Sequence, residues 1–126
     1  MNKRVVITGM SGITSLGNHW KEIRNNMMQG KTGIKTIEAW KEIKGLNTAL
    51  GGPIEDFKVP AHYTRKQMRG MGRVSKLATV ATEESLKHAG LLDQQEILTG
   101  GRTGIAYGSC SGSTMAYCDL LPVFTE

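Results

Sequence analysis

Arg4-Val5-Val6-Ile7-Thr8-Gly9-Met10-Ser11-Gly12-Ile13-Thr14-Ser15-Leu16-Gly17 opens the chain. Its first half is a continuous apolar, β-branched run, the pattern of a strand buried on both faces. Its second half is a loop of small residues and glycines. A strand that empties into Thr-Gly and a glycine-rich turn is one way to seat a pyrophosphate on a helix N-terminus. Spacing excludes that use here. The dinucleotide turn needs Thr-Gly, three residues, then Gly-x-Gly, because those glycines let backbone approach phosphate closely. Three residues after Gly9 the chain reads Ile13-Thr14-Ser15, and Gly12 comes one position early. An acidic ribose-binding residue belongs about 20 residues further on. The chain there is the helix-like stretch Asn18 to Gln29, followed by a turn.

Outward from this opening, Lys3 to Thr8 is expected as a buried strand. Asn18 is expected as an N-cap, and Trp20, Ile23 and Met27 repeat at helical spacing until Gly30 stops the helix. Residues 31–46 are turn-rich, with a short helical piece around Glu38 to Ile43. Asn47 to Phe57 contains a strand, and Gly51-Gly52-Pro53 marks it as an edge or bulged one. Pro60 to Gly72 is loop with a helical turn around Arg65 to Arg69. Val74 to Ala89 carries the clearest helical period: Val74, Leu77, Ala78, Ala81, Ser85, Leu86 and Ala89 fall on one face, and Gly90 ends it. Its small residues imply close approach to a neighbour. Thr103 to Ser109 reads as a second buried strand, feeding a loop and a helix from about Ser113. Pro122 would break that helix if it lay in the interior. Two strand–helix–strand passages imply a parallel or mixed sheet covered by helices.

Bulk properties narrow the class. A chain of 126 residues with 39% hydrophobic and 21% charged residues has the length and composition of one soluble globular domain. No apolar run approaches the ~20 residues needed to cross a bilayer. Only three apolar residues separate Met1-Asn2-Lys3-Arg4 from Thr8, against ~7–15 in a signal sequence, so cytoplasm is the expected location. Cys110 and Cys118 offer no metal spacing. Eight positions apart on a helix they would exceed the ~4.4–6.8 Å Cα separation of a disulfide, so free thiols are expected. The net charge of +5 concentrates in Arg65, Lys66, Arg69, Arg73 and Lys76, with no acidic residue among them. One reading is a nucleic-acid stripe. The absence of an interleaved aromatic argues against a single-strand stacking platform.

The ordered set of local patterns resembles the elongating β-ketoacyl-acyl-carrier-protein synthases, the ketosynthase branch of the thiolase-like enzymes. The opening run fits, as do Trp20 with Gly30-Lys31-Thr32-Gly33-Ile34 and Leu50-Gly51-Gly52-Pro53-Ile54-Glu55-Asp56-Phe57. Tyr63-Thr64-Arg65-Lys66-Gln67-Met68-Arg69, Met71-Gly72-Arg73-Val74-Ser75, Ala89-Gly90-Leu91 and Thr103-Gly104-Ile105-Ala106-Tyr107-Gly108-Ser109 continue it in order. The resemblance implies an α/β, thiolase-like fold, with residues 1–126 as a partial N-terminal domain, the front part of the first α/β half. It implies a 3-oxoacyl-acyl-carrier-protein synthase of fatty acid or polyketide/polyene biosynthesis, using acyl and malonyl thioesters. The family's nucleophilic cysteine and two histidines belong to later segments, so no catalytic residue, cofactor or metal is expected in this chain. The implied partners are an acyl carrier protein, docking at Lys66, Arg69 and Arg73, and a second ketosynthase subunit, identical or not. Gly108, Ser109, Cys110 and Ser111 are implied as the acyl-pocket loop, with Ser111 at the position that gates chain length.

Some residues invite a different reading. Gly108-Ser109-Cys110-Ser111-Gly112 has the Gly-x-nucleophile-x-Gly form of an acyl-transfer elbow, and a thiol at a helix N-terminus is acidified. A nucleophile needs a base within ~2.6–3.2 Å. His19 is expected at the surface, His62 in the loop before the basic patch, and His88 in the last turn of a helix, where its charged form suits the dipole. None stands in the family's histidine motifs. Ser111 has a plainer role open to it as a helix N-cap. The alternatives are a basic interaction module acting through Arg65 to Lys76, and a chain-length-factor-like ketosynthase partner without a nucleophile.

Overall fold

The computed structural model describes residues 3–125, which fall in two compact units: Ser11–Lys58, and the segments Met1–Met10 with Val59–Glu126.

The Ser11–Lys58 unit opens on a tight turn in which Thr14 and Gly17 exchange backbone hydrogen bonds of 2.9 and 3.1 Å. Helix α1 (Trp20–Met28) follows, one residue later than the sequence suggested. Its N-cap is His19, and Asn18 instead donates its N–H to Glu22 Oε2 at 3.0 Å. The Glu22 carboxylate thus reaches back to a donor ahead of the helix, while the N-cap side chain itself makes no cap bond. Ile23, at 5% exposure, is the buried point of α1, while Trp20 and Met27 stay partly exposed. Gly30 ends the helix as expected. At φ +67 it lets its own N–H reach Met27 O and the Lys31 N–H reach Asn26 O, both at 3.0 Å, the paired bonds of a Schellman end. Strand β1 (Lys35–Thr36) pairs antiparallel with β2 (Leu50–Gly51), Lys35 opposite Gly51 and Thr36 opposite Leu50. Between them lies α2 (Glu38–Lys41), whose Trp40 ring packs where a Gly51 side chain would stand. Pro53, without an N–H, follows this short strand, in keeping with its edge character.

In the other unit, α3 (Arg65–Met68) begins with a complete capping box between Thr64 and Gln67. Helix α4 (Arg73–Ala89) ends at Gly90 (φ +69), again with paired bonds, Gly90 N–H to Lys87 O and Leu91 N–H to Leu86 O. Its expected apolar face does not form a buried stripe. Val80 is the buried residue, residues 76–86 are otherwise half-buried all round, and Val74 is exposed. Gly9 packs against the last turn of α4, where a Cβ would come within 2.8 Å of Ala89 Cβ. Met10 N–H and O each lie 3.0 Å from His88 Nδ1. The Thr8-Gly9 turn thus serves close helix packing. Helices α5 (Gln95–Thr99) and α6 (Thr114–Thr125) complete the unit, and α6 runs through Pro122, contrary to the break expected there.

The two expected buried strands differ most from expectation. Residues 3–8 and 103–109 carry no ladder pairing, and Val5 and Ile105 are 97% and 79% exposed. A β-branched run favours extended backbone, but a strand exists only where neighbouring chain satisfies its N–H and C=O groups. Among the described residues the one ladder is β1–β2.

Candidate functional site

Along α4 runs an open groove of about 980 Å³. Val74, Ala78, Leu86, Leu92 and Ile105 give it an apolar wall, and the loop after Tyr107 closes one side. Tyr107 fixes that loop: its hydroxyl donates to Ala78 O at 2.9 Å and meets Thr82 Oγ1, which itself donates to Ala78 O at 2.8 Å. Of the four residues expected in the pocket loop, Gly108 and Ser109 line the groove. Cys110 and Ser111 are exposed and stand off it; Gly112 and Ser113 take part in their place. Ser109 Oγ accepts from Gly112 N–H at 2.9 Å, closing a turn that Gly112 completes at φ +59. The turn-closing hydroxyl is therefore that of Ser109.

The nucleophile-elbow geometry is not assembled. Helix α6 begins at Thr114, leaving Cys110 in a bend outside its first turn. Both Cys110 and Cys118 are free and exposed. The histidines stand elsewhere: His19 is at the N-cap position of α1 without a side-chain cap bond, His88 sits on Met10, and His62 Nε2 lies 2.9 Å from Glu83 Oε2.

Glu83 is the polar centre at the groove and was not singled out in the sequence. Its carboxylate, 12% exposed, takes Lys87 Nζ at 2.6 Å, His62 Nε2 at 2.9 Å and the Tyr63 hydroxyl. Lys87 first, then Tyr63, hold the carboxyl down at about 2, against the opposing effect of burial. Burial first, then the bond to Glu83, pushes the Tyr63 hydroxyl up to about 12. Lys87 is raised by its bonds to Glu83 and Glu84. Glu83 and Lys87 stand at i, i+4 in the favourable order, a signal legible in the sequence; the His62-Tyr63 side of the cluster is not.

The expected docking residues lie just before the groove. Lys66 is on α3, Arg69 is its C-cap and Arg73 opens α4. Lys66 and Arg69 are exposed, with no ion pair among the described residues. A second cavity, of about 420 Å³ in the Ser11–Lys58 unit, is polar, with Glu22, Asn26, Glu55 and Asp56 in its wall and Lys35 bonded to Glu55. Among the described residues, no group of three His, Cys, Asp or Glu could hold a metal, and no helix is long and apolar enough to cross a membrane.

Residues 2–122 match the family model "Beta-ketoacyl synthase, N-terminal domain", and the chain belongs to this family. A crystal structure of a β-ketoacyl synthase from Burkholderia phymatum superposes with a TM-score of 0.80 at 41% identity, covering 96% of this chain and 30% of that one. The α/β, thiolase-like fold expected from the sequence is thereby established. Nodulation protein E of Rhizobium meliloti is 33% identical over 124 residues, 96% of this chain and 30% of its own length. The 3-oxoacyl-[acyl-carrier-protein] synthase 2 of Staphylococcus aureus is 36% identical over 111 residues, 88% of this chain and 26% of its own. Synthase 1 of Haemophilus influenzae is 31% identical over 122 residues, 94% and 29%. The chain thus spans between a quarter and a third of the length of these relatives. The match favours the ketosynthase reading over a basic interaction module.

Proposed function

We propose that this chain is the N-terminal portion of a 3-oxoacyl-acyl-carrier-protein synthase of fatty acid or polyketide/polyene biosynthesis. The observation that carries the reading is the family match over residues 2–122. The complete enzyme moves an acyl group from carrier protein to a cysteine thiolate. Loss of CO₂ from a malonyl thioester then leaves an enolate that attacks the acyl-enzyme. Such chemistry needs a nucleophilic thiol and preorganised donors for the oxyanion and enolate. This chain contributes none of those groups by position. Its part is the pocket loop from Gly108 and the docking face of Lys66, Arg69 and Arg73. The assembly is cytoplasmic and pairs with a second ketosynthase subunit.

The test compares the protein encoded by the whole reading frame with this chain alone. Given acyl- and malonyl-carrier thioesters, the whole protein is expected to release CO₂ and form a 3-oxoacyl product; the chain alone forms neither. A whole protein inert towards every acyl-carrier donor would remove the proposal. Turnover by the chain that depends on Cys110 would instead restore the elbow reading.

A further inference from the structure

Helix α4 starts without a side-chain cap of its own. Its N-cap is Gly72, which offers no oxygen to the unpaired N–H groups of the first turn. The oxygen arrives from a distant part of the sequence: Ser113 Oγ accepts from Val74 N–H at 3.2 Å, across 39 positions. Glycine at 72 is demanded by space. Its φ of −68 and ψ of 174 are open to any residue, yet a Cβ there would stand 2.6 Å from Ser113 Cβ. One hydroxyl therefore does two things. It caps the helix that presents Arg73, and it fastens the loop that Ser109 and Gly112 close into a turn.

Resting on the proposed function, we propose that Ser113 is a positioning residue tying the pocket loop of residues 108–113 to the first turn of α4. The loop's place beside the groove then follows the helix start that belongs to the docking face.

The two roles of the hydroxyl separate by mutation. Ser113→Gly removes both cap and tether. Gly72→Ser combined with Ser113→Gly returns a cap oxygen to α4, in the space the lost side chain vacates, and leaves the tether broken. The Gly112 N–H, held by Ser109 Oγ at 2.9 Å within the loop, reports on the tether through its hydrogen-exchange rate in this chain, with the Gly30 N–H at the end of α1 as internal reference. Ser113→Gly is expected to raise the Gly112 rate relative to Gly30 about fivefold, the factor set by one neutral hydrogen bond. The double variant keeps that rise while recovering the melting temperature lost in the single one. An unchanged Gly112 rate, or a double variant that returns it to the original value, would overturn the tether. Hydrogen exchange requires no turnover, so this result is independent of whether the whole protein condenses thioesters. In the whole protein, both variants are expected to shift product chain length alike, whereas Ser113→Thr preserves it. Unshifted lengths beside faster Gly112 exchange would overturn the link from tether to pocket; an inert wild type would strike only the proposed function.

Discussion

Glu83 shows how one residue sets the acid–base behaviour of the groove. Lys87, Tyr63 and His62 converge on a carboxylate that is largely shielded, so each favours its charged form while water is kept back. With the folded value near 2 and the ordinary value at 4.5, the stabilisation from Glu83 is complete above about pH 4.5 and is lost as pH falls towards 2. Tyr63 runs the other way. Raised from 10 to about 12, its contribution is complete below pH 10 and is lost as pH rises through 12. Glu83→Gln keeps the shape and removes the charge. It is expected to flatten the acid limb of a denaturant-stability profile between pH 4.5 and 2 and to bring one tyrosine titration down towards 10 in ultraviolet absorbance. An acid limb identical in the Gln variant would assign the acid sensitivity to other carboxyls.

At the scale of elements, α3 is the piece most dependent on a single contact. Four residues are far below the length at which a helix holds by itself. Its order rests on the box in which Thr64 Oγ1 accepts from Gln67 N–H at 3.3 Å and Gln67 Oε1 accepts from Thr64 N–H at 2.8 Å. Thr64→Ala is expected to cost about 0.5–2 kcal/mol in urea unfolding, and Thr64→Ser to recover most of it. No loss in Thr64→Ala would mean that buried Met68 alone seats the helix. The Thr-x-x-Gln spacing of this box stood open in the sequence, as did the stops at Gly30 and Gly90, because caps are decided by residues within one turn. The start of α1 lies one residue later than read, with Asn18 held outside the helix by the bond from its N–H to Glu22. Runs 3–8 and 103–109 were expected as buried strands and are neither paired nor buried, because pairing is a property of neighbouring chain, which local pattern does not contain. The same limit hid the site's long-range contacts: His62 on Glu83, and Ser113 on Val74. Resemblance placed Ser111 in the pocket loop, yet the turn closed by Ser109 carries Ser111 out to solvent.

For the whole molecule, the distribution of charge bears most directly on function. The excess of +5 is concentrated in a stretch without acidic residues, where Lys66 and Arg69 are exposed and have no carboxylate partner among the described residues. Surface ion pairs contribute only ~0–1 kcal/mol, so stability gives little reason for the cluster. An acidic carrier protein gives a better one. Reversing Lys66 and Arg69 together to Glu in the whole protein is expected to lower kcat/KM for carrier-bound acyl groups by about tenfold or more, since steering by complementary charge raises association by 10–10³-fold. Acyl groups on small-molecule thioesters should react as before, because neither side chain lines the groove. The defect should shrink as salt rises well above ~0.15 M, where exposed charges more than ~8 Å apart are screened. A loss equal on both substrate types and indifferent to salt would make these residues structural, and carrier docking would then have to be sought on another face.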